Sequence, residues 1–575
     1  MKRKNKQHDL LKLVLLFAIV VLCNIISKYV FYRFDLTSEK RYTLAPATKT
    51  LLQNVDDIIY VKVYLEGEFP AGFKRLRNET QLLLEEFRAS ANDNIEYEFV
   101  NPSASTDKTE RENVYRQLYE KGLMPTNLEV NEENGKSEQI IFPAAMVTYK
   151  GREMPWQLLK NQIGVPPEMV LNNSIQSLEY EFASTIRKLN VPLKPRIAFT
   201  EGHGELDTLA VGDIVKSLKE YYDVERVALN ENLASLMDRD SSGNGVYTVR
   251  PKYKAIVVAK PDSAFSDKDK FVLDQFVMNG GKVLWLLDMV YTNLDSLSRG
   301  NTMGLNNGMN LEDLLFKYGV RINPNLVQDM QSSAILVNKA LVGNQPRWEM
   351  EPWIFNPLSL PSTNHPIVKN LDVIKFEFAS TIDTLTNKEI RKSILLTTSK
   401  YARTVNTPTR ISLAMVNIKP DERKFRNAFL PMAVLLEGQF ESVYKNRLTA
   451  AIKQSKEIAF KESSKENKMI VVADGDVIKN VVQRSTGNIY PLGYDLTTRQ
   501  TYGNKNFVLN CIDYLCDDSG LLTVRSREVT LRLMDKKKVK TQRMQWQIVN
   551  TAFPVMLVLV VGVVLYFIRR NKFAK

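Results

Sequence analysis

The chain has 575 residues, 44% of them hydrophobic and 25% charged, with a formal net charge of +13. The charge sits at the ends: residues 1–32 hold six basic groups and one acid, and residues 569–575 hold four basic groups, leaving 68 basic against 64 acidic groups between. That length accommodates about three domains, and so balanced a body excludes a phosphate-binding stripe for nucleic acid.

Leu10–Val30 is apolar and follows Lys2, Arg3, Lys4 and Lys6. A second apolar stretch, Ile548–Ile568, stops at Arg569, Arg570 and Lys572. A helix needs about 20 residues to cross a bilayer, so each reads as a transmembrane helix. Basic flanks stay in the cytoplasm, which puts both termini there and Arg33–Gln545 outside the bacterial inner membrane. A cleaved signal needs a small-residue site, and Asn24–Tyr32 offers no Ala-x-Ala step. Leu22 before Cys23 does not fit a lipoprotein signal. Lys12 and Lys28 can snorkel. Lys536, Lys537, Lys538, Lys540 and Arg543 lie on the outer side of the second span and weigh against it, although long translocated domains largely escape the charge rule.

The expected order is therefore a cytoplasmic tip (1–9), a span (10–32), a stalk (33–57), an α/β domain (58–190), a second α/β domain in two pieces (191–330 and 469–530) around an irregular β-containing insertion (331–468), a basic linker (531–547), the second span (548–568) and a tip (569–575). In the first domain, Ile58–Leu65 and Ile95–Val100 alternate as strands. Phe73–Ser90, Thr109–Lys121 and Ser174–Leu189 have helical spacing, and Gln139–Glu153 reads as two strands around a Lys-Gly turn. Strand, helix, strand, helix, hairpin, helix resembles the thioredoxin fold, with Phe142-Pro143 where that fold carries a cis-proline. Gly67–Phe73, at the position of its chemistry, has no cysteine, so thiol exchange is excluded and a scaffold expected.

Beyond Pro192–Pro195, Arg196–Thr200 reads as a strand, Leu206–Tyr221 as a helix, and Val224–Leu229 and Ala255–Ala259 as strands around a Ser241–Gly245 insertion. Asp267–Met278 reads as a helix stopped by Gly280-Gly281, and Val283–Asp288 as a buried strand. Such alternation implies a doubly wound parallel sheet. Gly300–Asn310 reads as a loop, Leu311–Tyr318 as a helix and Arg321–Gln328 as a strand. Within the proline-interrupted 331–440 region, Phe376–Ala379 and Ser393–Thr397 read as strands, and the charged run Ser455–Lys468 as a solvated loop. Met469–Asp476 is strand then turn and is expected to complete the sheet begun at Arg196, with a helix over Lys505–Cys516. Cys511 and Cys516 lie about 140° apart on that helix, which suits buried small hydrophobes better than a disulfide. With His8, His203 and His365 dispersed, no zinc site is expected.

Glu201-Gly202-His203-Gly204-Glu205 is the leading candidate for ligand or partner binding. It follows the first strand of a parallel sheet, on the carboxyl edge where open α/β folds bind ligands. The same pattern also serves as a tight turn with Asp207 as cap. Asp474-Gly475-Asp476 follows another strand and can share that edge; it suits a turn or a cation, and no metal is assigned. Asn550, Thr551 and Pro554 in the second span are candidates for contact with a membrane partner. No Gly-x-Ser-x-Gly, Walker A loop or cysteine elbow occurs, so no catalytic residue, cofactor or intrinsic ATPase is expected.

Phe34–Leu44, Thr200–Glu205, Ala473–Asp476 and Tyr502–Asn510 together resemble the GldG family, gliding-motility-associated ABC transporter components of the Bacteroidetes with a substrate-binding label. The resemblance spans nearly the whole chain. It implies a multi-span ABC permease and a cytoplasmic ATPase as partners, an envelope role in gliding or secretion, and a central domain similar to a glutamine-amidotransferase-like sheet that also occurs, without activity, in intraflagellar transport proteins. No catalytic residues carry over. Two other readings stay open: a free-standing binder of an envelope glycan or peptide, and an amidotransferase-like enzyme.

Overall fold

The computed structural model describes residues 12–22, then 43–521 except 133–134, 161, 163–164, 191–192, 242–246, 293, 343–344, 362, 419, 456–457, 484–485 and 518–519, then Val524 and 536–573. The chain divides into two units, Met1–Arg527 and Glu528–Lys575.

Alternating burial builds the first sheet. β1 (Ile59–Val63) buries Ile59, Val61 and Val63 and pairs parallel with β2 (Ile95–Phe99). It pairs antiparallel with β3 (Ala144–Tyr149), which joins β4 (Arg152–Gln157) through the expected Lys150-Gly151 turn. The order is β2-β1-β3-β4. Helices Ala71–Ser90 and Pro167–Asn190 cover one face, where Phe182 packs on Phe87 and Trp156. Helix Lys108–Glu120 covers the other through Leu118, against Phe142 and Met146. A hairpin of Thr126–Glu132 and Gly135–Ile141 adds a strand that periodicity missed. Phe142–Pro143 is trans, contrary to expectation; the cis bond among the described residues is Thr407–Pro408.

The second sheet contains β5 (Arg196–Glu201), β6 (Asp223–Ala228), β7 (Ala255–Ala259), β8 (Lys282–Leu286), β9 (Ile390–Thr397), β10 (Pro431–Glu441) and β11 (Ser463–Val472), in the order β9-β10-β11-β8-β7-β5-β6. The five strands β11, β8, β7, β5 and β6 run parallel; β10 pairs antiparallel with β11, and β9 antiparallel with β10. The strand at Met469 joins the sheet beside β8, but it does not end it: β10 and β9, from the 331–468 stretch expected to be a separate irregular insertion, extend the sheet beyond β11. Both faces are covered, so the central strands are apolar throughout: Ile256, Val257, Val283, Leu284 and Trp285 have no exposure. Helices Gly212–Lys219 and Asn504–Cys516 pack on one face, and Asp267–Met278 and Glu312–Lys317 on the other. Chain order among the parallel strands reverses between β5 and β7, and a doubly wound sheet opens its crevice at such a point.

Several expectations are corrected. The helix expected over Leu206–Tyr221 is only Gly212–Lys219. Leu206 is drawn to the sheet by its N–H to the Ala259 carbonyl (3.0 Å), and Asp207 Oδ1 accepts the Ala210 N–H (2.7 Å), fixing a turn first. The expected loop Gly300–Asn310 contains a strand, Asn301–Asn306, paired with Thr409–Ser412 and Val290–Tyr291. Arg321–Gln328 breaks at Pro324 into Val320–Ile322 and Asn325–Asp329, because proline cannot donate to a ladder. Phe376–Ala379 is not a strand: Phe378 has a positive φ of 53°, and the short strand there is Ile374–Lys375. The expected solvated loop Ser455–Lys468 becomes β11 from Ser463 onward, with Lys468 opposite Glu437. Asn467 holds that end by donating to the Val277 and Gly281 carbonyls (2.9 and 2.8 Å). The proline-rich stretch carries a long hairpin, Ser332–Val342 with Gln345–Ser359.

The second unit is helix Lys536–Phe573, in which Thr541–Asn571 is long and apolar enough to cross a membrane. Of the first apolar stretch, Lys12–Leu22 is an apolar helix shorter than a span, while Leu10, Leu11 and Cys23–Val30 lie outside the described residues. The cytoplasmic tip, Phe34–Arg41 of the stalk and Ser242–Gly245 also lie outside them. Among the described residues there is one candidate span where two are expected.

Candidate functional site

The parallel strands deliver their following loops to one carboxyl edge, which collects Glu201–Glu205 after β5, Lys260 after β7, Asp288 after β8 and Asp474–Asp476 after β11. Gly202 and Gly204 take positive φ values of 111° and 73°, which turn the chain sharply. A Cβ on Gly204 would stand 1.6 Å from Asp262 Oδ1, so a side chain there would have to displace that carboxylate. Glu201 looks along the sheet to Arg226 of β6, whose Nη2 also donates to the Leu206 carbonyl (2.8 Å).

His203 turns inward. Its ring stacks on Phe265 with centroids 3.8 Å apart, and Nε2 lies 3.2 Å from Asp269 Oδ2. Nδ1 lies 3.7 Å from Glu205 Oε1, and Glu205 Oε2 accepts the His203 N–H at 2.7 Å. Asp269 is held in the first turn of helix Asp267–Met278, where its N–H donates to the capping Ser266 hydroxyl (3.1 Å). Burial disfavours the imidazolium, but Glu205 and then Asp269 outweigh it and raise the His203 pKa. Burial likewise opposes the Glu205 carboxylate, and the His203 contacts override it to lower that pKa. His203 is a clamp between two loops, with 7% of its surface exposed.

Lys260, at positive φ (53°), places Nζ 2.9 Å from Asp288 Oδ2 and against Asp476 Oδ2. Asp288 Oδ1 accepts the Gly475 N–H at 2.5 Å, and Asp474 Oδ1 accepts the Asp476 N–H at 2.7 Å. The other oxygen of Asp474 accepts from Glu377 N–H (2.6 Å), and Ser380 N–H donates to the Ala473 carbonyl (2.9 Å), so the insertion covers this end of β11. Burial disfavours the Lys260 ammonium, yet Asp288 and Asp476 hold its pKa above the ordinary value. Asp474 is pushed well up by burial and by the neighbouring Asp288. Carboxylate oxygens of Asp288, Asp474 and Asp476 lie within 4.8 Å of one another, a spacing suited to a cation. Lys260 already supplies a positive charge there.

One short segment ties the two predicted loops together. Lys260 pairs with Asp476, while Asp262, two residues on, donates its N–H to the His203 carbonyl (3.0 Å). Asn480 adds a second tie, donating its N–H to the Ala210 carbonyl (2.8 Å) and its side-chain amide to the Leu209 carbonyl (2.9 Å). Lys260, Asp288, Phe265 and Asp269 escaped the sequence reading. Lys260 and Asp288 each follow an apolar strand, and that position at a carboxyl edge was the available signal. Cys511 and Cys516 are buried and unbridged, and burial raises the Cys511 thiol far from the thiolate form.

Residues 194–511, more than half of the chain, match the family described as ABC-type uncharacterized transport system, an auxiliary component. The chain belongs to this family. The matched span of this ABC transport auxiliary protein contains every residue of both clusters. Residues 38–148 match a second family, described only as a domain of unknown function. An uncharacterized protein of Borreliella burgdorferi is 21% identical over 578 residues, covering 99% of each chain. The mmIFT52 N-terminal domain aligns with 56% of this chain and 97% of its own, at 13% identity and a TM-score of 0.30.

In the C-terminal helix of the auxiliary protein, Thr551 Oγ1 donates back to the Gln547 carbonyl at 2.7 Å. Pro554 has no N–H for the Asn550 carbonyl four residues before it, so of the three predicted partner residues, Asn550 and Pro554 mark the gap in the helix's own bonding.

Proposed function

We propose that this ABC transport auxiliary protein is a non-catalytic subunit anchored in a bacterial inner membrane, with its body on the extracytoplasmic side. Its partners would be a multi-span permease and a cytoplasmic ATPase, in a system serving gliding motility or secretion. One observation carries the non-catalytic reading: Lys260, Asp288 and Asp476 fill the sheet edge with their own ion pairs, where enzymes of open α/β architecture keep a crevice. The order and sense of β2-β1-β3-β4 support a thioredoxin-like first domain acting as scaffold, and the five-strand parallel array supports an amidotransferase-like sheet without its nucleophile. His203, stacked on Phe265, offers little to a soluble glycan or peptide, which favours a subunit over a free-standing binder.

The test is affinity purification of the tagged full chain from native membranes in mild detergent. A multi-span protein and an ATPase should come with it; a chain that elutes alone refutes the reading. Topology is checked separately, with a membrane-impermeant maleimide on Ile418→Cys, an exposed loop position, and a reporter fused at Lys575. Labelling outside and a cytoplasmic reporter are expected.

A further inference from the structure

A cavity of about 420 Å³ lies between helix Gly212–Lys219 and β6, the edge strand of the second sheet. Small-molecule sites commonly enclose about 300–1,000 Å³, so it has the size of one. Helical spacing puts Val215, Lys216 and Lys219 on one stripe of the helix, and alternation puts Val224 and Arg226 on one face of β6. The half-buried Val215 and Val224 supply an apolar floor, which the lysine stems extend.

Three cations therefore share one cavity, Lys216, Lys219 and Arg226, and among the described residues no carboxylate lines it with them. Arg226 is neutralised by Glu201. Lys216 and Lys219 are exposed and make no ion pair among the described residues. Carboxylates close by in the chain are engaged elsewhere: Asp213 with Lys505 (3.0 Å), Glu225 with Arg196 (2.6 Å) and Glu220 with the Tyr221 hydroxyl. Lys194 adds a further cation, donating to the Lys219 carbonyl at 2.7 Å. Lysines in the last turn of a helix oppose its dipole, which accounts for their sign but not for a cavity shared with an arginine. Arg226 also keeps one donor unmet. Its Nε faces Glu201 and its Nη2 bonds the Leu206 carbonyl, while Nη1 is buried without an acceptor. A buried donor left unpaired is costly, and a bound oxyanion would supply the acceptor.

Two positive charges on the cavity wall thus remain uncompensated. A phosphate monoester carries about −1.5 to −2 at pH 7, with three strong acceptor oxygens. A carboxylate, a sulfate ester or a phosphodiester brings a single negative charge and leaves the wall positive.

We propose that this cavity binds a phosphate monoester on a compact apolar body. The phosphate oxygens engage Lys216, Lys219 and Arg226, and the body lies against Val215 and Val224. Such a site is independent of the subunit reading, so either can fail alone.

The purified full chain in mild detergent is titrated by calorimetry with phenyl phosphate, phenyl sulfate and glutarate. Phenyl phosphate should saturate one site. Phenyl sulfate, of the same shape with one charge, and glutarate, with two charges but no phosphate, should each bind at least tenfold more weakly. Lys216→Ala/Lys219→Ala should weaken phenyl phosphate at least tenfold, with the ligand-free melting temperature of the parent chain. Both side chains are exposed, so folding is expected to survive; should the double variant melt lower, Lys219→Gln alone repeats the test with a several-fold loss. Lys400→Ala, at an exposed lysine outside the cavity, should leave binding unchanged. Phosphatidic acid carries the same monoester on a lipid: competition with phenyl phosphate would assign the group to a membrane source, and failure to compete to a soluble one. No saturable binding of phenyl phosphate would overturn the proposal. So would equal binding of phenyl sulfate or glutarate, or undiminished binding by the lysine variants.

Discussion

A Cβ placed on Gly475 would stand 2.4 Å from Lys260 Cβ and 2.9 Å from Lys260 Cα. These residues follow different strands of the sheet, β11 and β7, with β8 between them. Their contact holds the Asp474–Asp476 turn against the Lys260 backbone, leaving no room for a side chain. Gly475→Ala should therefore destabilise the body by about 1–3 kcal/mol through overpacking. Its φ of −82° suits any residue, so backbone strain adds nothing. A denaturant midpoint unchanged from the parent chain would contradict the close approach.

Lys260→Met should be more damaging, because it leaves Asp288 and Asp476 buried and facing each other without their shared cation. Removing one partner of a buried pair costs about 3–5 kcal/mol. Neutralising the orphans in Lys260→Met/Asp288→Asn/Asp476→Asn should restore much of the loss, since the uncompensated charge goes with them. Thermal melts of the single and triple variants decide it: a triple variant no more stable than the single points to lost packing instead.

The His203 clamp makes stability depend on pH with a defined sign. His203 is raised above its usual 6.5, so its contribution is complete below about pH 6.5 and fades as pH climbs through the folded value. Glu205 is lowered below 4.5, so its contribution is present above that value and fades as pH falls through the folded one. The clamp is therefore strongest between about pH 4.5 and 6.5. Relative to His203→Gln, the parent chain should show its largest excess melting temperature near pH 5.5 and a smaller one near pH 8.5. A constant difference across that range would mean that the ring acts only by packing on Phe265.

Arg187, near the end of helix Pro167–Asn190, reaches Asp517 at 2.8 Å, and its neighbour Lys188 approaches Asp513 at 3.5 Å. Asp513 also accepts from Tyr222 OH at 2.6 Å, so this cluster joins the first domain to the central sheet. Burial opposes the Arg187 charge, and Asp513 and Asp517 override it to raise its pKa. Arg187→Ala should cost about 3–5 kcal/mol by removing a partner from a largely buried charge pair. Limited proteolysis should then cut more readily near Leu193, which is highly exposed. Unchanged cleavage would show that apolar contacts of Leu521 and Val524 hold the junction unaided.

Much of this was legible from short-range pattern. Continuous apolar runs at Ala255–Ala259, Val283–Asp288 and Met469–Val472 announced parallel strands buried on both faces, and all three lie side by side. Helical spacing with Gly280-Gly281 as its stop gave the bounds of Asp267–Met278 as they stand in the structure. Reading failed where a distant partner decides the backbone. Ser463–Lys468 is too charged to look like a strand, yet β10 offers it a ladder. Asn301–Asn306 looks like a loop until Thr409–Ser412, more than a hundred residues on, pairs with it.

The candidate site divides in the same way. Glu201–Glu205 and Asp474–Asp476 were found as loops after strands, because glycine and carboxylate turns leave a local signature. That Lys260 neutralises Asp476 and that Phe265 and Asp269 enclose His203 could not be read locally, since each contact joins separate strands or helices.

By itself the sequence determined the alternating α/β build, the apolar C-terminal helix and the two glycine-carboxylate loops, because helix period, strand period and turn chemistry are set by neighbours along the chain. Only the tertiary structure decided what those loops face. Strand order brings β5, β7, β8 and β11 together, and a buried charge answers to whatever stands within a few ångströms, however far away it lies in the chain.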